Sequence, residues 1–347
     1  MSDATFSGPV VVTGASGYVA SWVVHELLSR GATVHGTVRD PNHPTKTAHL
    51  RALDDELPGT LKLFAADLLK PGSFAEALDG ATTVIHTASP FHSGDGDPQA
   101  TLVQPALDGT ANVLDQASQT PTVTRVVLTS SVLAVYGDAT ESDGRPLTED
   151  DWNSSSSVDH QPYAYSKTVA ERKAWELAEA QSQWRLVVVN PAFVMGPSLS
   201  GRKDSTSMDF LLNNLKGTWK SGTLPMSSGF VDVRDVATAH VEAAVRPDAE
   251  GRHILSAEVV SFHAFGQIIE AAYPGRFGVP RREVPKLLAT LAAPFIGFTR
   301  RYVRDNAGHA LAFDASKSRE SLGLVYRPLA ETVHDMVERA LADGLVE

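Results

Sequence analysis

Pro9-Val10-Val11-Val12-Thr13-Gly14-Ala15-Ser16-Gly17-Tyr18-Val19-Ala20 is the stretch that decides how this chain folds. A β-branched run stops at a glycine, and a helix-like stretch from Val19 to Ser29 follows a second glycine. That pattern is a buried strand turning into a helix. Gly14 suits a tight turn, Gly17 lets backbone approach a diphosphate, and Ala20 is small enough for helix and strand to pack closely. The helix would face the turn with free N–H groups and a positive dipole end. Ser16, Tyr18 and Val19 complete the cradle, which reads as a dinucleotide phosphate site. The spacing is one residue longer than the Gly-x-Gly-x-x-Gly fingerprint. An ordinary glycine-rich turn is the competing reading, and the position at the first strand–helix junction favours the cofactor.

The same alternation continues outward. Thr33–Val38, Leu61–Ala66, Thr82–His86, Arg125–Thr129 and Arg185–Val189 are further short runs, several of them apolar almost throughout. Strands buried on both faces by helices look like this. The expected fold is therefore α/β, a Rossmann-type doubly wound parallel sheet with ligands at its C-terminal strand edge. Residues 1–195 are expected to form the nucleotide-binding domain, with a late strand returning near 253–256. Residues 196–347 are expected to form a smaller, mostly helical substrate lobe, partly interleaved, with one helix after Ser261 and another over Leu329–Ala342. Gly201–Ser207 and Lys220–Gly229 read as loops.

Composition narrows the function. The chain has 347 residues, 42% hydrophobic and 20% charged, enough for a sizeable core. Its net charge of −11 argues against a nucleic-acid partner, so an anionic ligand must be held by local chemistry. There is no cysteine, which removes disulfides, zinc–thiolate sites and thiol nucleophiles, and no metal site is expected. Met1-Ser2-Asp3-Ala4-Thr5 lacks the pattern of a secretory leader, so a cytoplasmic location is expected.

The end of the second strand chooses between cofactors. Gly36-Thr37-Val38-Arg39-Asp40-Pro41 puts Arg39 first, and a guanidinium there pairs with the 2′-phosphate of NADP. Lys46 is a weaker second candidate. The alternative is Asp40 as the ribose acid of an NAD site, although Asp40-Pro41 is also a turn pair. Asp67-Leu68, closing the third strand, suits the adenine, unless Asp67 merely caps a helix beginning near Lys70. Thr87, Ala88 and Ser89 follow the fourth strand and leave room for cofactor contacts; His86 is given no catalytic role.

Tyr163-Ala164-Tyr165-Ser166-Lys167 opens a helix running to about Ala180, with Pro162 in its first turn. Tyr163 and Lys167 are four residues apart and share a face. A phenol normally ionises near ~10. An adjacent ammonium favours the phenolate, making the phenol a better donor to a carbonyl oxygen as hydride reaches the carbon. Ser130 and Ser131, at the sheet edge after the fifth strand, offer a second donor. Against this, Tyr165 is a rival at another phase, and Lys167 with Glu171 would make a plain surface ion pair.

Thr13-Gly14-x-x-Gly17, Leu128-Thr129-Ser130-Ser131, Tyr163-x-x-x-Lys167, Asn190-Pro191-Ala192-Phe193-Val194-Met195-Gly196-Pro197 and Val231–Ala237 together resemble the extended short-chain dehydrogenase/reductases, over nearly the whole chain. Gly36–Asp40, His86–Pro90 and Ser166-Lys167-Thr168-x-Ala170-Glu171 are similar to the dihydroflavonol reductase, cinnamoyl-CoA reductase and microbial aldehyde/ketone reductase group. The resemblance implies Ser131 as the catalytic serine and Tyr163 as proton donor. It implies that Lys167 binds the nicotinamide ribose and assists Tyr163, and that Pro191 and Val194 line the nicotinamide. Gln161-Pro162 before Tyr163 departs from the Asn-Trp of cinnamoyl-CoA reductases, which leans towards free aldehydes or ketones.

The expected function is an NADPH-dependent reductase of a medium-sized aldehyde or ketone, acting on a small-molecule substrate as a monomer or homodimer. The alternatives are an NAD-dependent nucleotide-sugar epimerase or dehydratase and a non-enzymatic NADP sensor. Phe91, Ser205 and Met226 are the candidate substrate contacts. Leu287–Phe298, greasy and flanked by arginines, is too short to span a bilayer. It is expected to cover the substrate pocket or form an oligomer contact, with a membrane surface as the less favoured reading.

Overall fold

The structure is a computed structural model, and it describes residues 6–89, 96–201 and 205–346. Seven parallel strands form the main sheet: β1 Val10–Thr13, β2 Thr33–Val38, β3 Thr60–Ala65, β4 Thr83–His86, β5 Arg125–Thr129, β6 Arg185–Pro191 and, after a long interval, β9 Gly251–Leu255. Their order is β3-β2-β1-β4-β5-β6-β9. The chain reverses direction across the sheet between β1 and β4, which opens a crevice beyond their C-terminal ends.

Burial on both faces explains the unbroken apolar runs. Val10 and Val12 pack into one core with Val23, Val24, Leu27 and Val236, whereas Val11 packs into the other with Val84, Val126, Leu114 and Val188. The helices of the first half are α1 Tyr18–Ser29, α2 Ala48–Glu56, α3 Ala75–Leu78, α4 Gln104–Ser118 and α5 Pro162–Glu179. Later come α6 Thr206–Leu215, α7 Val233–Val245, α8 Phe262–Ala272, α9 Lys286–Ala292, α10 Arg300–Asn306, α11 Ser316–Ser321 and α12 Leu329–Ala342. α1 and α7 contribute to the first core and α4 and α5 to the second, so residues well beyond 196 serve the main sheet.

Two local readings need correction. No helix starts at Lys70: Asp67–Lys70 is a turn closed by Lys70 N–H to Asp67 O at 3.1 Å, and the short α3 begins five residues later. The polar stretch ending at Gly229 is not all loop, because Ser227–Asp232 is strand β8. With β7 Phe193–Met195 and β10 Glu258–Ser261 it makes a second sheet in the order β10-β8-β7. Serines hid this strand, since its inward-facing apolar residues are concentrated in Phe230 and Val231. Phe193 of β7 and Phe230 of β8 pack with Phe210 and Phe265, Phe230 stacking on Phe265 with centroids 5.1 Å apart and Phe210 meeting Phe265 edge-on.

In the greasy segment Ala289 and Ala293 face inward, while Leu287, Leu288, Leu291, Phe295, Ile296 and Phe298 are exposed. Among the described residues, no helix is long and apolar enough to cross a membrane.

Candidate active site

The phosphate cradle is built by backbone. Gly14 has φ 65°, and Gly17 donates to Gly14 O at 2.8 Å. A Cβ on Gly14 would stand 3.0 Å from the Ala88 Cβ, and one on Gly17 would stand 3.1 Å from Gly14 O. Glycine is thus required at both places. Gly17 is the N-cap of α1 and supplies no side-chain cap, and the first turn carries no acid. The opening N–H groups are left for an external acceptor, which is the chemistry a diphosphate needs. Ser16 lies half-buried in the turn. Tyr18 runs the other way, donating to Gly196 O at 2.7 Å, and so ties the cradle to the start of the second lobe.

Thr13, to which the sequence reading assigned no role of its own, stitches β1 to β4. Its hydroxyl lies 2.8 Å from His86 Nδ1 and accepts the N–H groups of Thr87 at 3.1 Å and Ala88 at 3.0 Å. Thr87 Oγ1 donates to Thr13 O. These bonds fix the peptide that follows β4 directly beside the glycine turn. His86 is buried, and desolvation, aided by the Lys167 charge, pushes its pKa down to about 3. It is a neutral structural imidazole. At the end of β2, Arg39 stands exposed, while the Asp40 carboxylate accepts the Asn42 N–H at 2.9 Å and closes its own turn. Asp67 is exposed and accepts the Leu69 N–H at 2.9 Å, and Leu68 O accepts from Asn112 at 2.7 Å.

α5 carries Tyr163 and Lys167. Pro162 takes the first helical position, and Gln161 before it adopts the left-handed conformation at φ 56°. A buried knot holds that strained residue. Asp138 accepts from Gln161 Nε2 at 2.7 Å and Asn306 Nδ2 at 2.7 Å, and pairs with His160 Nε2 at 2.9 Å. Neither His160 nor Asn306 had a role in the sequence reading, and Gln161 entered it only as part of the Gln161-Pro162 departure. Tyr163 is 38% exposed. Lys167 Nζ lies 5.8 Å from the Tyr163 ring centroid and donates to Ser89 Oγ at 3.3 Å. The α5 face thereby reaches the end of β4, and a small cavity there is lined by His86, Ala88, Ser89, Thr129, Ser130 and Lys167.

The two serines part company. Ser130 is buried and donates to Glu171 Oε2 at 2.5 Å. Ser131 is half-buried, caps a 3₁₀ turn over Val132–Ala134, and accepts the Leu133 N–H at 3.1 Å. Glu171 is not a surface partner of Lys167. It is buried, and it accepts from Asn190 Nδ2 at 2.7 Å, Trp175 Nε1 at 3.3 Å and Arg252 Nε at 2.6 Å. This buried carboxylate ties α5 to β5, β6 and β9 below the reactive edge. Pro191 is buried at the end of β6 and Val194 is half-buried in β7.

Of the substrate candidates, Ser205 spends its hydroxyl capping α6, accepting the Met208 N–H at 3.1 Å. Met226 is buried with Ala289, Ala293 and Val303. Phe91 lies outside the described residues.

A seven-stranded Rossmann sheet with a glycine cradle at its switch point, and a tyrosine–lysine helix reaching that point, define a dinucleotide-dependent α/β enzyme. The chain belongs to the NAD dependent epimerase/dehydratase family, whose family model matches residues 10–256. It is 37% identical over 343 residues to cinnamoyl-CoA reductase CAD2 of Medicago truncatula, covering 97% of each. Gre2 of Candida albicans, solved in complex with NADPH, is 30% identical and superposes with a TM-score of 0.78 over 96% of this chain and 99% of that one. Yeast methylglyoxal/isovaleraldehyde reductase Gre2, also solved with NADPH, is 26% identical with a TM-score of 0.79, over 97% and 100% of the two chains.

Proposed function

We propose that this protein is an NADPH-dependent reductase of medium-sized aldehydes or ketones, with Tyr163 as the proton donor. The observation that carries the reading is the position of Lys167 Nζ, between the Tyr163 ring at 5.8 Å and Ser89 at 3.3 Å. That position joins the phenol to the edge where the glycine cradle lies. The full-length similarity to named reductases supports the same reading.

The cradle of Gly14, Ser16, Gly17, Tyr18 and Val19 holds the diphosphate by backbone. Asp40 is committed to its own turn, which leaves Arg39 as the strand-end group for the 2′-phosphate. Asp67 and Leu68 would hold the adenine end, Thr87, Ala88 and Ser89 would contact the middle of the cofactor, and Pro191 and Val194 would line the nicotinamide. NADPH, when bound, supplies the hydride. The Ser131 hydroxyl would donate a hydrogen bond to the substrate carbonyl oxygen, without giving up its proton, while its oxygen accepts the Leu133 N–H. Tyr163 gives its proton to the same oxygen, and the Lys167 ammonium stabilises the phenolate left behind. No thiol and no metal enters these roles.

A panel of aliphatic, aromatic, diketone and flavonoid carbonyls, with cinnamoyl-CoA as one arm, tests this by nicotinamide absorbance. The expected result is oxidation of NADPH well above NADH with free aldehydes or ketones. Tightly bound NAD after purification, with no net NADPH oxidation, identifies an epimerase or dehydratase instead. NADP binding without turnover across the panel identifies a sensor.

A further inference from the structure

The surface formed by α9, its following 3₁₀ turn and α10 is packed inside out. Its inward positions are the small Ala289, Ala293 and Ala307, with Val303 and Met226. Its outward positions are large: Phe295 is 88% exposed, Leu287 72%, Leu288 56%, Leu291 54%, Ile296 50% and Phe298 40%. Gly297, at φ 83°, closes the turn that leaves Phe295 at its outermost point. Burial of apolar area is the main favourable term in folding, so a fold that spends alanines on its core and displays leucines and phenylalanines has another occupant for that face.

The charge around the patch says which. Residues 281–305 hold Arg281, Arg282, Lys286, Arg300, Arg301 and Arg304 against Glu283 and Asp305, a net charge of +4. The whole chain is −11, so everything outside this segment sums to −15. Arg304 and Arg301 share Asp305, but Arg281, Arg282, Lys286 and Arg300 also stand exposed around the apolar residues. A second copy docking by the same face would bring two such basic rims together, which like charge opposes. An anionic lipid headgroup layer complements the rim, accepts the apolar side chains below it, and repels the acidic remainder, so that only this face docks.

We propose that this protein docks peripherally on anionic membrane surfaces, with Leu287, Leu288, Leu291, Phe295, Ile296 and Phe298 entering the headgroup–acyl boundary by about 5–10 Å. The proposal is independent of the catalytic reading, since none of these side chains belongs to the site.

Flotation of the full chain with phosphatidylcholine vesicles, with and without phosphatidylglycerol, tests it. The bound fraction is expected to be at least about tenfold higher on the anionic vesicles and to fall as salt rises. Leu288→Asp with Phe295→Asp should abolish binding, and Arg281→Glu with Arg300→Glu should reduce it to the phosphatidylcholine level. All four side chains are exposed, so both variants should keep the wild-type melting temperature and cofactor affinity. Equal binding to the two vesicle types, no binding at all, or undiminished binding of the apolar variant overturns the proposal. A dimer in sedimentation velocity that Leu288→Asp with Phe295→Asp dissociates, without vesicle binding, assigns the face to a second copy instead.

Discussion

At the scale of single residues, two neighbouring serines show how one position along the chain changes a side chain's task. Ser130 points inward and spends its proton on Glu171, whereas Ser131 accepts from Leu133 and keeps its proton. Ser131→Ala should lower kcat by roughly 10²–10³, the usual loss of one donor to a developing oxyanion, while the lost cap on Val132–Ala134 costs about 0.5–2 kcal/mol of stability. Ser130→Ala should instead cost about 1–3 kcal/mol of stability, because a buried carboxylate loses a donor. Equal kinetic losses in both variants, measured with urea unfolding alongside, would contradict the division of roles. The residues alone offered both serines, since nothing in Ser130-Ser131 shows which way each points, and only the family resemblance singled out Ser131. Tyr163 and Lys167 were readable because four residues on a helix fix a shared face. Thr13 and Asp138 were not, because their partners His86 and His160 lie 73 and 22 residues away.

At the scale of elements, α5 is held at both ends of its reactive stretch. Asp138 gathers His160, Gln161 and Asn306 at its start, tying it to α10. Glu171 then anchors its middle to β5, β6 and β9 through Ser130, Asn190 and Arg252. The Arg252 side chain is 6% exposed, and its guanidinium also stacks on Trp152 at 3.9 Å. Glu171→Gln keeps the shape and strands that cation, so unfolding should become easier by about 3–5 kcal/mol in urea titration. A change below about 0.5 kcal/mol would show that the pair carries no net weight. The four-residue spacing of Lys167 and Glu171 suggested a surface ion pair, and helical geometry alone permits it. The interior claims Glu171 instead because that side of α5 lies on the sheet, where three donors converge. The β8 strand stayed hidden for a related reason: its register with β7 and β10 is tertiary, and its serines read as loop.

At the scale of the whole molecule, the alternation of strands and helices was legible because parallel strands sandwiched by helices must be apolar on both faces. The return of a late strand near 253–256 was expected and is β9 beside β6, whereas the service of α7 to the main sheet depends on long-range packing that local pattern does not encode. Net charge of −11 likewise says little about a turn whose opening N–H groups are left for an external acceptor. Buried histidines give the molecule a defined acid response. Desolvation pushes His86 down to about 3, His240 down to about 4 and His253, with help from Lys317, down to about 4. In the unfolded chain each takes a proton near ~6.5, which the folded state refuses until far lower pH. Their contribution is therefore fully present above about pH 6.5 and is lost as pH falls towards about 4. Asp151, held down to about 2 mainly by its hydrogen bond from Arg145, adds a further loss below about pH 4. The melting temperature should fall continuously from pH 7 to pH 4 in differential scanning fluorimetry, and a flat profile would contradict the buried neutral histidines. The central claim, that the tyrosine of this sheet edge delivers the proton in carbonyl reduction, is tested most directly by Tyr163→Phe. NADPH titration should give wild-type affinity while turnover of the best carbonyl substrate drops by roughly 10²–10⁴. Near-wild-type turnover in that variant would contradict the account.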